Sequence, residues 1–139
     1  MTKNKESIAT IIPFYNGSKY LTDALDSLVK EQRVSDEIII VNDESTKEET
    51  EKLDYIAQNS DLNIKIIHQK NTGQGGARNN GVKHTEAKFI TFLDQDDMVL
   101  PEKNKLLLSA ITRGLVSDRR CAYATADAVH VNSSGLTNA

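Results

Sequence analysis

The residues best suited to chemistry in this chain are acids placed where apolar runs stop. Residues 8–12 run into Pro13-Phe14-Tyr15-Asn16, residues 38–41 into Asn42-Asp43-Glu44-Ser45, and residues 89–93 into Asp94-Gln95-Asp96-Asp97. Unbroken apolar runs are the mark of strands buried in a parallel sheet. Open parallel sheets bind ligands just outside the carboxyl ends of their strands. The three clusters are therefore expected to converge on one crevice. A crevice holding Asp43, Asp94, Asp96 and Asp97 needs compensating positive charge, which points to a divalent cation and a phosphorylated ligand.

Each cluster also has a plainer reading. Carboxylates two apart on a turn after a strand can both reach one hard cation, yet an acidic loop before Pro101 also suits the positive end of a following helix. For one acidic quartet the two readings are even, and the other acid-bearing strand ends favour the ligand. Asp43 is placed to accept hydrogen bonds from a base or a ribose. Ser45-Thr46-Lys47-Glu48 has capping-box spacing, with Ser45 as the cap. The stretch from Asn71 to Gly81 brings glycines and Arg78 to a helix start, where backbone approaches a ligand closely and anions are attracted. Glycines for tight helix–sheet packing explain it equally well. It is no dinucleotide fingerprint, because Arg78 occupies the third glycine position and the loop follows the third strand. Pro13 is expected to stop the first ladder, and Tyr15 either stacks on a base or belongs to the core. His68 and His84 have no ligand spacing and read as structural, and no serine sits in a nucleophile elbow.

The elements that must hold these residues alternate. Between the strands, Tyr20, Leu21, Ala24, Leu25, Leu28 and Val29 recur at helical spacing, as do Leu53, Ile56 and Ala57. Ile64, Ile66 and Ile67 mark a third strand near an edge. Pro101 suits the first position of a fourth helix, with Leu106, Leu107, Ala110 and Ile111 on its inner face. Residues 121–125 and 128–131 read as further strands, and Asn132 to Gly135 as a turn. The pattern is α/β, with the first strand between the second and fourth. The 139 residues make one domain, 38% hydrophobic and 27% charged, with a net charge of −3. That charge gives no basic footprint for nucleic acid, no apolar stretch is long enough to span a membrane, and no signal-peptide core is present. The single cysteine, Cys121, excludes an intrachain disulfide. A cytoplasmic location, with peripheral attachment at an inner membrane as a variant, is the expectation by exclusion.

Taken in order, Ile11-Ile12-Pro13-Phe14-Tyr15-Asn16, Ile40-Val41-Asn42-Asp43-Glu44-Ser45, Asn71-Thr72-Gly73 with Ala77-Arg78-Asn79, and Phe92-Leu93-Asp94-Gln95-Asp96-Asp97 with Pro101 resemble the family 2 glycosyltransferases of the GT-A fold. The resemblance implies a Rossmann-like three-layer sandwich with a mostly parallel sheet. It implies inverting transfer of a sugar from a nucleotide-sugar donor, a UDP-sugar, to a glycan or lipid-linked acceptor in cell-surface polysaccharide synthesis. By position, Pro13, Tyr15, Asp43, Arg78, Asp94, Gln95 and Asp96 would bind the nucleotide sugar. Asp94-Gln95-Asp96 matches the DxD motif, and Asp96, with Asp94 and Asp97, would hold Mn2+ or Mg2+ on the diphosphate.

Two departures stand out: Asn42 where the family commonly has Asp, and Glu44 where it has a small residue, often Gly. No residue matches the general base that inverting transfer needs. The expectation is therefore a single donor domain over residues 1–139, cut from a larger fold and lacking the acceptor part, inactive alone and prone to self-association. A non-catalytic nucleotide-sugar-binding fragment is the alternative. A metal-dependent phosphotransfer enzyme is disfavoured, because its acids belong after the first strand.

Overall fold

A computed structural model describes residues 6–126. Its elements alternate in the order β1 (Ile8–Phe14), α1 (Ser18–Val29), β2 (Glu37–Asp43), α2 (Lys47–Gln58), β3 (Ile64–Gln69), α3 (Gly73–Lys83), β4 (Phe89–Phe92) and α4 (Lys103–Ser117). The four strands form one sheet in the order β3-β2-β1-β4, and every pairing is parallel. The expected central place of β1 and edge place of β3 are both borne out. The chain steps outward from β1 through β2 to β3, then returns to the other side of β1 for β4. That reversal puts the topological switch point between the carboxyl ends of β1 and β4.

The sheet is covered on both faces. Ile12, Phe14, Ile38 and Ile40 pack against Leu21, Ala24, Leu25 and Leu28 of α1 and Leu53 of α2. Ile11, Ile39 and Val41 point the other way, onto Ala77 of α3. The alternation follows the period of two along a strand. α4 joins the α1 face: the Asn104 amide donates to Ser35 Oγ at 3.1 Å, and that oxygen lies 2.6 Å from Thr10 Oγ1 of β1.

Pro13 does not end β1. It pairs with Val41 of β2, and Phe14 follows it in the ladder. The β4 side stops earlier, at Ile11 and Phe92. Ile11 accepts from Leu93 N on that side, so the backbone groups of Pro13, two residues on, face β4 beyond the ladder's end. The donor that proline lacks falls where no partner strand remains. β2 likewise extends through Asn42 to Asp43, so Asp43 is the last strand residue rather than a loop residue beyond it.

Other expectations are corrected. Tyr20 and Val29 are exposed, as is Leu106 of α4. Pro101 precedes α4, which begins at Lys103, because Pro101 O accepts from Gln32 N at 2.8 Å and Glu31 Oε2 accepts from Asn104 N at 2.9 Å. The carboxylate at the end of α1 thereby fixes where α4 starts. Burial holds the Glu31 carboxyl above its ordinary pKa and the neighbouring Lys103 ammonium below its own. Residues 121–125 form no strand. A turn from Asp118 to Cys121 folds them onto α4, where Cys121 sits over Gly114. Ala122 to Ala124 line, with β4 and α4, a cavity of about 340 Å3. The expected strand at 128–131 and the turn from Asn132 to Gly135 lie outside the described residues.

α3 rides close to the sheet at Gly81, where a Cβ would lie 2.6 Å from Ile11 Cγ2 and 3.3 Å from Val41 Cγ2. Gly81→Val should therefore destabilise the chain by about 1–3 kcal/mol, as overpacking does, lowering the urea midpoint with little change in slope.

Candidate functional site

The loops after β1, β2 and β4 meet the start of α3 at the carboxyl edge of the sheet, and each is tied to a neighbour by side chains. The tie between β2 and α3 is Asp43, which is buried. Its Oδ1 accepts from Thr72 N at 2.8 Å and Gln69 Nε2 at 2.8 Å, and its Oδ2 accepts from Gly73 N at 2.9 Å. α3 has no cap from its own Thr72 side chain. Asp43 supplies that cap from another strand, adding a negative charge to the helix's positive end. With two oxygens and about four acceptor positions, Asp43 keeps room on Oδ2 for one more donor. Gly73 has φ +77, a conformation that favours glycine, and it turns its amide onto Asp43.

The β2 turn is set by its two departures from the family pattern. Asn42 Oδ1 accepts from Ser45 N at 3.1 Å, while its amide nitrogen donates to Thr50 Oγ1 at 3.0 Å and lies 3.2 Å from His68 Nδ1. Glu44 has φ 62, left-handed backbone that a glycine adopts without strain. Its carboxylate accepts from Asn71 N at 3.2 Å. Ser45 is not the cap of α2. Thr46 is, accepting from Glu49 N at 3.3 Å, because Ser45 Oγ is taken by Asn16 N at 3.0 Å. Asn16 Oδ1 in turn accepts from Thr46 N at 2.9 Å.

Glu49 reaches across to α1, accepting from Ser18 N and Ser18 Oγ, each at 2.9 Å. It replaces the cap that Gly17 cannot give. This contact was invisible in sequence, since only the cap and its own helix can be read locally. The Ser18 amide above all, then the Ser18 hydroxyl and Lys52, hold the Glu49 carboxyl below its ordinary pKa against the opposing effect of burial.

At the β1–β4 switch point, Gln95 Oε1 accepts from Tyr15 N at 2.9 Å and Gln95 Nε2 donates to Tyr15 O at 3.1 Å. The Tyr15 ring itself is exposed, so it is not a core residue. Arg78 of α3 donates to Asp94 Oδ1 at 2.5 Å, and its guanidinium lies 5.9 Å from the Phe92 ring. Asp97 N closes a turn on Asp94 O at 3.0 Å. Asp96 is exposed. Of the residues singled out in the sequence, the structure ties Asp43 to α3, Arg78 to Asp94 and Tyr15 to Gln95, and turns Pro13 into the strand. Among the described residues no three His, Cys, Asp or Glu gather as a metal-binding group. Magnesium-type ions are held by one or two carboxylates together with substrate phosphates, a demand the acids of this loop can meet.

The profile of glycosyl transferase family 2 matches residues 9–127. The chain belongs to this family. It is 33% identical over 127 residues to the uncharacterized glycosyltransferase YibD of Escherichia coli, covering 91% of this chain and 36% of that protein. Among solved structures, Staphylococcus aureus TarS 1-349 in complex with UDP-GlcNAc is similar with a TM-score of 0.66 and 32% identity, over 78% of this chain and 31% of that one. The mannosyltransferase PcManGT of Pyrobaculum calidifontis, in complex with GDP-Man and Mn2+, shares the fold at a TM-score of 0.59 and 21% identity, over 66% of this chain and 28% of that one. The fold of this family 2 chain is therefore the GT-A α/β arrangement, and the chain spans about a third of the length of these relatives.

The caps yield two predictions. A lowered pKa in the folded state means that ionised Glu49 adds stability above the ordinary carboxylate pKa, and that this stability is lost as pH falls through the lowered value. Glu49→Gln should therefore flatten the acid limb of a pH–stability curve and leave the alkaline limb unchanged. Asp43→Ala uncaps α3 and strands two backbone donors, so it should cost about 1–3 kcal/mol in urea unfolding, whereas Asp43→Asn, which keeps an acceptor, should cost less.

Proposed function

We propose that this chain forms the nucleotide-sugar-binding part of an inverting glycosyltransferase whose donor is a UDP-sugar. The observation that carries the reading is the meeting of Tyr15, Asp43, the Arg78–Asp94 pair and Asp96 at the carboxyl edge of a parallel sheet, in a chain of this family. The UDP-GlcNAc complex of TarS supports uridine as the base. In this reading Tyr15 stacks on the base and the remaining acceptor position of Asp43 takes the uracil N–H. Arg78 lies beside the nucleotide, held in place by Asp94. The N-terminus of α3 faces the same crevice, but Asp43 already uses its first amides, so α3 serves to hold Asp43 in place.

Asp96, with Asp94 and Asp97, would hold Mn2+ or Mg2+ against the diphosphate. When bound, such a cation acts as a Lewis acid and template for the leaving nucleoside diphosphate. Asp94 is the less available ligand because Arg78 occupies its Oδ1, which leaves Asp96 as the principal one. We assign residues 1–139 to one donor domain. The acceptor, a glycan or a lipid-linked sugar in polysaccharide synthesis, belongs to the activity of the whole protein. Among the described residues no helix is long and apolar enough to cross a membrane.

Calorimetric titration with UDP, GDP and ADP, with and without Mn2+, tests the reading. UDP should bind best, and only with the metal. Asp96→Ala should weaken metal-dependent UDP binding by roughly tenfold or more, the scale of one lost hydrogen bond to a charged group. Unchanged affinity in that variant would reduce the acidic loop to a turn closed on itself between Asp94 and Asp97. Equal affinity for all three nucleotides would remove the role given to Asp43.

A further inference from the structure

The central residue of the acidic triplet, Gln95, commits one acceptor position and one N–H of its carboxamide to the chain itself. Both ends of its carboxamide are spent on the backbone of Tyr15, as acceptor at 2.9 Å and donor at 3.1 Å, across 80 residues of sequence. The side chain lies flat against Gly17, where a Cβ would fall 2.1 Å from Gln95 Cδ. The surrounding ladder explains why this link matters. Pairing of β1 with β4 ends at Ile11 and Phe92, with one further bond from Leu93 N to Ile11 O at 3.1 Å. The next residue of β1 facing β4 is Pro13, which has no N–H to give. Past that point the Gln95 carboxamide takes the place of a backbone rung. A primary amide suits this role because it matches a peptide group in both donor and acceptor.

We propose that Gln95 is a positioning residue that clamps the β1 loop to the acidic loop across the switch point, so that the Tyr15 ring and the Asp96 carboxylate meet one nucleotide as a preset pair. This rests on the donor reading above. Tyr15 and Asp96 are both exposed; Tyr15 is one end of the clamp and Asp96 follows the other end in sequence. Holding two contact groups in their bound arrangement removes the ordering cost that binding would otherwise carry. Glutamate at 95 would lose the donor half of the clamp, asparagine would fall one methylene short, and methionine would fill the space against Gly17 with neither hydrogen bond.

The test uses the 139-residue chain with Gln95→Met, Tyr15→Ala and the double variant. Thermal melting checks that each folds. Amide hydrogen exchange at Tyr15, followed by NMR without any ligand, reads the clamp itself. Exchange should be protected in the wild type and accelerated at least tenfold in Gln95→Met, as for loss of a bond worth one factor of ten. UDP titration in Mn2+ reads the consequence. Gln95→Met should bind roughly tenfold more weakly. The double variant should lose less than the product of the single losses, because a clamp on an absent ring has less to position. Unprotected exchange in the wild type, or unchanged UDP affinity in Gln95→Met, would overturn the proposal. So would losses that multiply fully in the double variant, which is the signature of general weakening. A wild-type chain that protects Tyr15 but binds no UDP would overturn the donor reading and leave the clamp standing as structure alone.

Discussion

The interaction on which the crevice depends is a carboxylate on the N-terminus of a helix it does not belong to. α1, α3 and α4 have no side-chain cap of their own. Glu49 of α2 accepts from Ser18 at the start of α1, Asp43 of β2 from Thr72 and Gly73 at the start of α3, and Glu31 from Asn104 at the start of α4. An uncapped helix start leaves several amides without partners, so each helix is held at the one place and angle where its carboxylate waits. Among the helices of the described residues, α2 alone carries its own cap, Thr46. The acids that look like ligands in the sequence are thus partly builders of the site. Asp43 is the clearest case: buried at the end of β2, it fixes α3 through Thr72 and Gly73.

This division of labour explains which parts of the sequence were legible. Apolar runs declare strands because burial on both faces forbids polar residues, and β1 to β4 were found in their places. Helix starts were harder. A local signal placed the cap of α2 at Ser45, but Ser45 is held by Asn16 and the helix begins one residue later. Pro101 was read as opening α4, yet Glu31, 73 residues away in sequence from Asn104, decides the start. Local capping rules cannot see a carboxylate contributed by a distant element. Residues 121–125 failed for a related reason. Their composition is that of a strand, but among the described residues no strand pairs with them, and Cys121 packs on Gly114 instead.

The two departures from the family pattern are resolved by the same accounting. Glu44 occupies a left-handed position that suits glycine. The strain, about 1 kcal/mol for a residue with a Cβ, is offset by its bond to Asn71 N, which helps close the loop before α3. Asn42 uses both ends of its amide, as acceptor from Ser45 and as donor to Thr50. An aspartate there could accept from both but could not donate, so the Thr50 hydroxyl would have to turn its hydrogen inward. Neither substitution disturbs Asp43, the strand residue between them.

What remains for a ligand is small and defined. Asn16, Ser45 and Thr46 are joined to one another, Gln95 is joined to Tyr15, and Arg78 to Asp94. Of the residues around these ties, the Tyr15 ring and the Asp96 and Asp97 carboxylates are exposed, the Arg78–Asp94 pair is half-buried and Asp43 is buried. In the reading proposed above, Tyr15 would meet a base, Asp96 and Asp97 a metal-bridged diphosphate, and Asp43 the imide edge of a pyrimidine. A site of this kind gains its selectivity from groups already fixed before the ligand arrives. On the donor reading proposed above, a preference for uridine would rest on Asp43, because a buried carboxylate facing a second acceptor instead of an N–H penalises the wrong base.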